Sequence, residues 1–253
     1  MENKLLAFQN LLVTMDELRA KCPWDMKQTI ASLRNLTIEE TYELAEAISA
    51  GNAKEIEEEL GDILLHIVFY AKIGEENGDF NIQSIIEKLI QKLVHRHPHI
   101  YGDVQVTDEE EVKKNWEKLK LKEGKKSILA GVPSSLPALI KAYRMQQKTA
   151  QVGFEWKDKK DVWAKVEEEL QELKEAESLN DKDKMFEEFG DVLFSLINYS
   201  RFIDVDPESA LESINLKFKR RFQFIEKEAG DNLDQMSLDQ MDALWSQAKS
   251  KGL

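Results

Sequence analysis

The sequence predicts an all-α protein built from two tandem helical bundles, and three observations carry that reading. Gly and Pro number only 11 and 5 in 253 residues, so little of the chain is marked for turns. Apolar residues recur three and four apart over long stretches, the period of a helix, and few segments alternate as strands do. Two clusters of carboxylates reappear later in the chain in the same register, as a duplicated unit would place them.

In chain order, residues 3–20 mix apolar positions with Lys4, Asp16 and Glu17, which predicts a helix and not an export signal. A second helix is predicted over 37–50. Ile56, Leu60, Ile63, Leu64, Ile67, Val68 and Ala71 then form an i, i+4, i+7, i+8 series, the core stripe of an amphipathic helix. Ser49, Gly51 and Asn52 between these two helices predict a short turn that lays them antiparallel. Helices are also predicted over 81–96, 108–122, 136–151, 160–178, 207–229 and 237–250, with a second core stripe through Phe186, Phe189, Val192, Leu193, Leu196 and Ile197. Gly124, Gly131, Pro133, Ser134, Ser135 and Pro137 cluster where the periodicity fails, as in a connector. The expected organisation is an N-terminal domain over 1–122, a linker over 123–136 and a C-terminal domain over 137–253.

The repeat is specific in what it preserves. Glu39, Glu40 and Glu43 recur as Glu168, Glu169 and Glu172, and Glu58, Glu59, Gly61 and Asp62 recur as Glu187, Glu188, Gly190 and Asp191, every pair 129 residues apart. The segments between them, AISAGNAKEI and AESLNDKDKM, diverge. Lys92 and Arg96 match Lys217 and Arg221 at an offset of 125, and Trp116 and Lys120 match Trp245 and Lys249 at 129.

At i, i+3 and i, i+4 spacing the repeated acids share one side of a helix, and an antiparallel partner sets the two groups face to face. Like charges about 4 Å apart repel by ~1 kcal/mol in water and ~4 kcal/mol at an effective dielectric near 20, so such a pocket calls for cations. Oxygen ligands alone favour Mg²⁺, Mn²⁺ or Ca²⁺ over zinc. Solvated glutamate faces are common in a chain with 33% charged residues, but a solvated face has no reason to keep six acids in register while its surroundings change. A di-iron bundle needs Glu-x-x-His motifs, and the residues three before His66, His95, His97 and His99 are Ile63, Lys92, Val94 and Arg96.

The basic pairs Lys92/Arg96 and Lys217/Arg221 each offer a point charge and a planar fork, one helical turn apart, to a polyphosphate. Trp245 and Lys249 set an aromatic face beside an amine. The tract His95–His99 is read as a helix end ahead of Pro98, because its alternate histidines converge poorly on one ion. Gly61 and Gly190 lie inside helical patterns, where Gly costs roughly 0.5–1 kcal/mol relative to Ala. Close approach of a neighbouring helix or a ligand is the expected reason.

With EExxE, ExxD, KxxxR and WxxxK in order and in duplicate, the sequence resembles the MazG family of nucleoside triphosphate pyrophosphohydrolases. The strings Lys21-Cys22-Pro23-Trp24-Asp25, Thr37 to Glu43, Arg96 to His99, Tyr143 to Gln146 and Val152 to Trp156 strengthen the resemblance, which spans nearly the whole chain. Lys21 stands where the family usually has Gly. The resemblance implies the all-α NTP pyrophosphatase fold, a homodimer, and Mg²⁺-dependent cleavage of NTPs or dNTPs to the monophosphate and pyrophosphate, with Mn²⁺ as a substitute metal. The residues alone leave open whether the α–β bond or the γ phosphate is cut; the resemblance implies the former. It further implies that Glu169, Glu172, Glu188 and Asp191 hold the metal, with Glu168 and Glu187 in support, and that Lys217, Arg221, Trp245 and Lys249 engage the nucleotide. In the first half the corresponding residues are Glu40, Glu43, Glu59 and Asp62, then Glu39 and Glu58, then Lys92, Arg96, Trp116 and Lys120.

The net charge of −13 argues against a nucleic-acid polymer or an anionic membrane as partner, since both call for a basic face. Cys22, the only cysteine, allows no intramolecular disulfide and no thiolate zinc site. The apolar run Ile63 to Ala71 is interrupted by His66 and is far below the ~20 residues of a membrane span. A soluble, cytoplasmic protein is expected. The competing reading from another class is a non-catalytic, metal-dependent nucleotide-binding or regulatory adaptor.

Overall fold

The computed structural model describes residues 1–108, 111–112, 115–116 and 127–253, and among these the regular structure is helical. The chain divides into two compact units, 1–111 and 112–253. The predicted helix over 108–122 and the first part of the expected linker over 123–136 lie largely outside the described residues; within the linker, Ile128–Gly131 forms one 3₁₀ turn.

In the first unit, α1 spans Glu2–Lys21, α2 Ile30–Ala50, α3 Ala53–Asn77, α4 Ile82–Arg96 and α5 Pro98–Tyr101. Helix α2 starts seven residues before the predicted position 37. Thr29 accepts from the Ser32 amide while Ser32 caps the Thr29 amide, a capping box without the usual Glu or Gln at its third helical position. The core joins Met15 of α1, Leu33 of α2, and Val68, Phe69 and Ile73 of α3.

In the second unit, α6 spans Ala138–Ala150, α7 Lys159–Ser178, α8 Lys182–Phe202, α9 Pro207–Ala229 and α10 Leu238–Ser250. Helices α7 and α8 form the principal pair, as α2 and α3 do in the first unit; α6 packs on α8, while α9 packs on α10 and α6. Val162, Val166, Ala176, Val192, Ile197, Ile225 and Ala248 are the buried apolar residues.

The turns that set each carboxylate-bearing pair antiparallel are themselves repeated. Gly51 adopts φ 67° and Asn180, 129 residues later, φ 52°, both left-handed, a region that Gly and Asn tolerate best. The next residues, Asn52 and Asp181, cap the amides of the following helices. Local turn chemistry thus places both carboxylate groups by one device.

The two predicted core stripes are corrected. Val68, Ala71, Val192 and Ile197 are buried, but Leu60, Leu64 and Ile67 on α3 and Phe189, Leu193 and Leu196 on α8 are exposed, and Phe186 is 85% exposed. The apolar arc of each helix is wider than the single layer of helices packed against it. The close approach expected at Gly61 and Gly190 also finds no partner in the chain: an added Cβ at either meets no atom within 4 Å among the described residues.

Candidate active site

Glu40 and Glu43 on α2 face Glu59 on α3, and one oxygen from each lies within 4.8 Å of the others; Glu169 and Glu172 on α7 form the same group with Glu188 on α8. Asp62 and Asp191 stand one turn beyond Glu59 and Glu188, outside these two groups of three. Burial pushes the Glu40 and Glu59 carboxyls above the usual carboxylate range, and the neighbouring carboxylates, Asp62 among them, push the same way. Burial is also the first cause for Glu188, reinforced by Glu172 and opposed by Lys184. These upward shifts mark carboxylates that no fixed cation fully compensates.

Glu59 supplies the sharpest sign that a cation belongs in the first group. Its Oε2 is buried and has no hydrogen-bond partner among the described residues. In the second group Lys165 supplies part of the compensation, with Nζ 2.7 Å from Glu169 and 2.8 Å from Glu168. Both carboxylates hold its amine well above the usual lysine range. The oxygen-only donor set suits Mg²⁺ or Mn²⁺, as the sequence suggests.

The supporting acids Glu39, Glu58, Glu168 and Glu187 are exposed, and of these Glu168 is tied to Lys165. Arg221 donates from Nε to the Leu253 carbonyl at 2.8 Å, with its guanidinium carbon 5.4 Å from the Trp245 ring centre, and Phe218 packs on the same ring at 5.2 Å. The structure therefore joins Arg221 to Trp245. Lys217 is half-buried on α9 and Lys249 is exposed on α10. Of the corresponding residues in the first half of the repeat, Lys92 is exposed and Arg96 half-buried on α4, Trp116 is half-buried, and Lys120 lies outside the described residues.

A cavity of about 580 Å³ opens beside the second carboxylate group, within the 300–1,000 Å³ range of small-molecule sites. Met145, Phe154, Trp156 and Phe194 make its apolar wall, and Glu169 and Asp191 lie at its charged margin. Lys217, Arg221, Trp245 and Lys249 are not among its lining residues. The loop after α6 is held over α8 by Glu155, which pairs with Arg201, and Arg201 also donates to Asn198 Oδ1 at 2.9 Å.

Against known proteins, residues 28–101 and 158–225 each match the MazG nucleotide pyrophosphohydrolase domain. The chain belongs to the MazG family. A nucleoside triphosphate pyrophosphohydrolase/pyrophosphatase MazG of Thermotoga maritima is 45% identical over 253 aligned residues, covering 96% of each chain. A nucleoside triphosphate pyrophosphohydrolase of Escherichia coli is 37% identical over 94% of this chain and 95% of its own. YabN of Bacillus subtilis, an uncharacterized protein, is 46% identical over 98% of this chain and 53% of its own length.

The two MazG halves share carboxylates but not walls. At the 129-residue offset, Ser195 and Asn198, which line the cavity, correspond to His66 and Phe69. Phe69 is 2% exposed and part of the first core. His66 is buried with Nδ1 2.6 Å from Thr37 Oγ1, and its burial lowers its pKa although Asp62 opposes that shift. Sequence reasoning singled out Gln146, Glu155 and Trp156 only as members of the matching strings, and passed over Phe194, Asn198 and Arg201. The last three share one face of α8 but carry no motif, and only the packing of α6 against α8 brings Gln146 beside them.

Proposed function

We infer that this chain is a nucleoside triphosphate pyrophosphohydrolase, converting NTPs or dNTPs to the monophosphate and pyrophosphate. The carrying observation is the second unit's cavity, which runs from an aromatic wall at Trp156 and Phe194 to carboxylates at Glu169 and Asp191. A nucleotide has the same polarity, a planar apolar ring at one end and phosphates that reach carboxylates through a cation at the other. Glu169, Glu172, Glu188 and Asp191 hold Mg²⁺ in this reading, as Glu40, Glu43, Glu59 and Asp62 do in the first unit. Bound there, the ion supplies Lewis-acid stabilisation of phosphate charge and lowers the pKa of a water. Glu155 and Arg201 fix the loop that closes the cavity, and Lys165 orients Glu169. Lys217, Arg221, Trp245 and Lys249 do not line the cavity, and in this reading they contact the part of the nucleotide that extends beyond it.

Incubation with a panel of NTPs and Mg²⁺ should release pyrophosphate, and EDTA should abolish the release. Orthophosphate as the direct product overturns the assignment, and nucleotide binding without turnover favours the adaptor reading. In this reading the second unit carries the nucleotide turnover, because in the first unit the buried His66 and Phe69 stand where Ser195 and Asn198 line the cavity.

The exposed band on α8, Phe186, Phe189 and Leu193 around the open Gly190, and its counterpart on α3 around Gly61, support a homodimer in which a second copy covers apolar surface. Phe189→Glu should shift the sedimenting species from dimer to monomer; a wild-type monomer removes the proposal. A reducing cytoplasm agrees with the single cysteine. Among the described residues no helix is long and apolar enough to cross a membrane.

A further inference from the structure

A residue that lines the second unit's cavity has one polar atom whose bonding is left incomplete among the described residues. Gln146, on α6, is 6% exposed and lines the cavity. Its Nε2 donates to the main-chain carbonyl of Phe194 at 2.8 Å. A carbonyl oxygen only accepts, so the amide nitrogen must be the atom facing it, and the orientation of the side-chain amide is settled. Gln146 Oε1 is then buried with no donor among the described residues. The nearby hydroxyls are committed elsewhere: Ser195 donates to the Val192 carbonyl at 3.0 Å and Thr149 to the Gln146 carbonyl at 3.0 Å. The Arg201 guanidinium is engaged with Glu155 and Asn198.

A buried acceptor left without a donor is destabilising, and native proteins rarely keep such atoms unless a ligand, an ion or a bound water completes them. Met145, Phe154, Trp156 and Phe194 around the cavity offer flat and apolar surface, which suits a planar ring better than a sugar. We propose that Gln146 is a specificity-determining residue that reads the substrate's base, its Oε1 accepting a hydrogen from a ring or exocyclic N–H of the nucleobase. The inference rests on the pyrophosphohydrolase reading and adds the ligand group that the cavity selects. A base stripped of that N–H leaves Oε1 unpaired in the complex, and binding discrimination of this kind is strong because the penalty falls on a group already desolvated.

The experiment compares kcat/KM of the full-length protein for each natural NTP and for analogues lacking a base N–H: ATP against purine riboside triphosphate, GTP against inosine triphosphate for the exocyclic amine and N1-methylguanosine triphosphate for the ring N–H, CTP against 2-pyrimidinone riboside triphosphate, and UTP against N3-methyluridine triphosphate. For at least one pair the wild type should prefer the natural substrate by about 10- to 100-fold, and Gln146→Met should bring the two within about twofold while keeping turnover of the analogue. Retained analogue turnover shows that the variant folds. If the wild type prefers no natural NTP over its analogue by more than about twofold, the proposal fails without reference to any variant. Equal loss on both members of every pair in Gln146→Met makes the residue a mere tie between α6 and α8, and also overturns it. Discrimination between ATP and dATP that vanishes in Gln146→Met assigns Oε1 to the sugar instead and overturns the base reading. Absence of pyrophosphate release from every NTP by the wild type is a different result, because it strikes the activity itself.

Discussion

Glu172→Ala in the full-length chain is expected to lower kcat for NTP hydrolysis by at least about 100-fold, whereas Glu43→Ala should leave it within about twofold of wild type. The two residues occupy equivalent places in equivalent carboxylate groups, so charge and metal affinity alone predict equal effects. The difference lies in what adjoins each group. The second unit presents Ser195 and Asn198 to a cavity of about 580 Å³, and the first has the buried His66 and Phe69 at those positions. Pyrophosphate release by the two single variants and by the double variant decides the matter. Equal losses in the two single variants would mean that both units turn over nucleotide and that the cavity does not explain activity.

Glu188→Gln is expected to raise the melting temperature of the metal-free protein at pH 7 and to remove most of the stabilisation that Mg²⁺ confers through the second unit. Burial, with Glu172 beside it, raises the Glu188 pKa in the folded chain. The folded state therefore holds this proton more tightly than the unfolded state. The stability that Glu188 contributes is present below its ordinary pKa and is lost as pH rises through the raised one. Above the raised pKa the metal-free protein carries the penalty of a buried charged carboxylate, and glutamine, similar in shape and uncharged, relieves it. Mg²⁺ offsets the same penalty by binding the charged form. At a free concentration about 100 times Kd it should raise the wild-type melting temperature by roughly 5–10 °C. Thermal melts with EDTA and with Mg²⁺, repeated from pH 5 to pH 8, check both signs. A Glu188→Gln protein less stable than wild type in EDTA would show that the carboxylate is compensated without a metal.

Much of this arrangement is legible in the sequence, for identifiable reasons. The carboxylate spacings of three and four residues bring the acids together only in a helix, and Gly51-Asn52 and Asn180-Asp181 carry the turn and the cap that fold each helix pair back on itself. The register of the duplication separates these acids from the others among the 48 in the chain, a distinction that net charge cannot make. The early start of α2 escaped because Thr29 and Ser32 cap each other through hydroxyls alone. The apolar stripes were overread for another cause. Periodicity reports which residues avoid water, and it does not report whether another helix of the same chain is there to cover Phe186 or Leu60.

By itself, the sequence determined the helical class, the duplication, and the two oxygen-rich groups suited to a divalent cation, because each depends on spacing along one helix or across one short turn. Tertiary structure alone decided that a cavity adjoins the second carboxylate group, that Arg221 joins Trp245 and not the cavity wall, and that Gln146, Phe194, Asn198 and Arg201 meet. Those neighbours lie on α6 and α8, 48 residues apart in the chain for Gln146 and Phe194. No local periodicity encodes that meeting; it follows from how the buried faces of the helices pack and from which polar atoms the packing leaves without a partner.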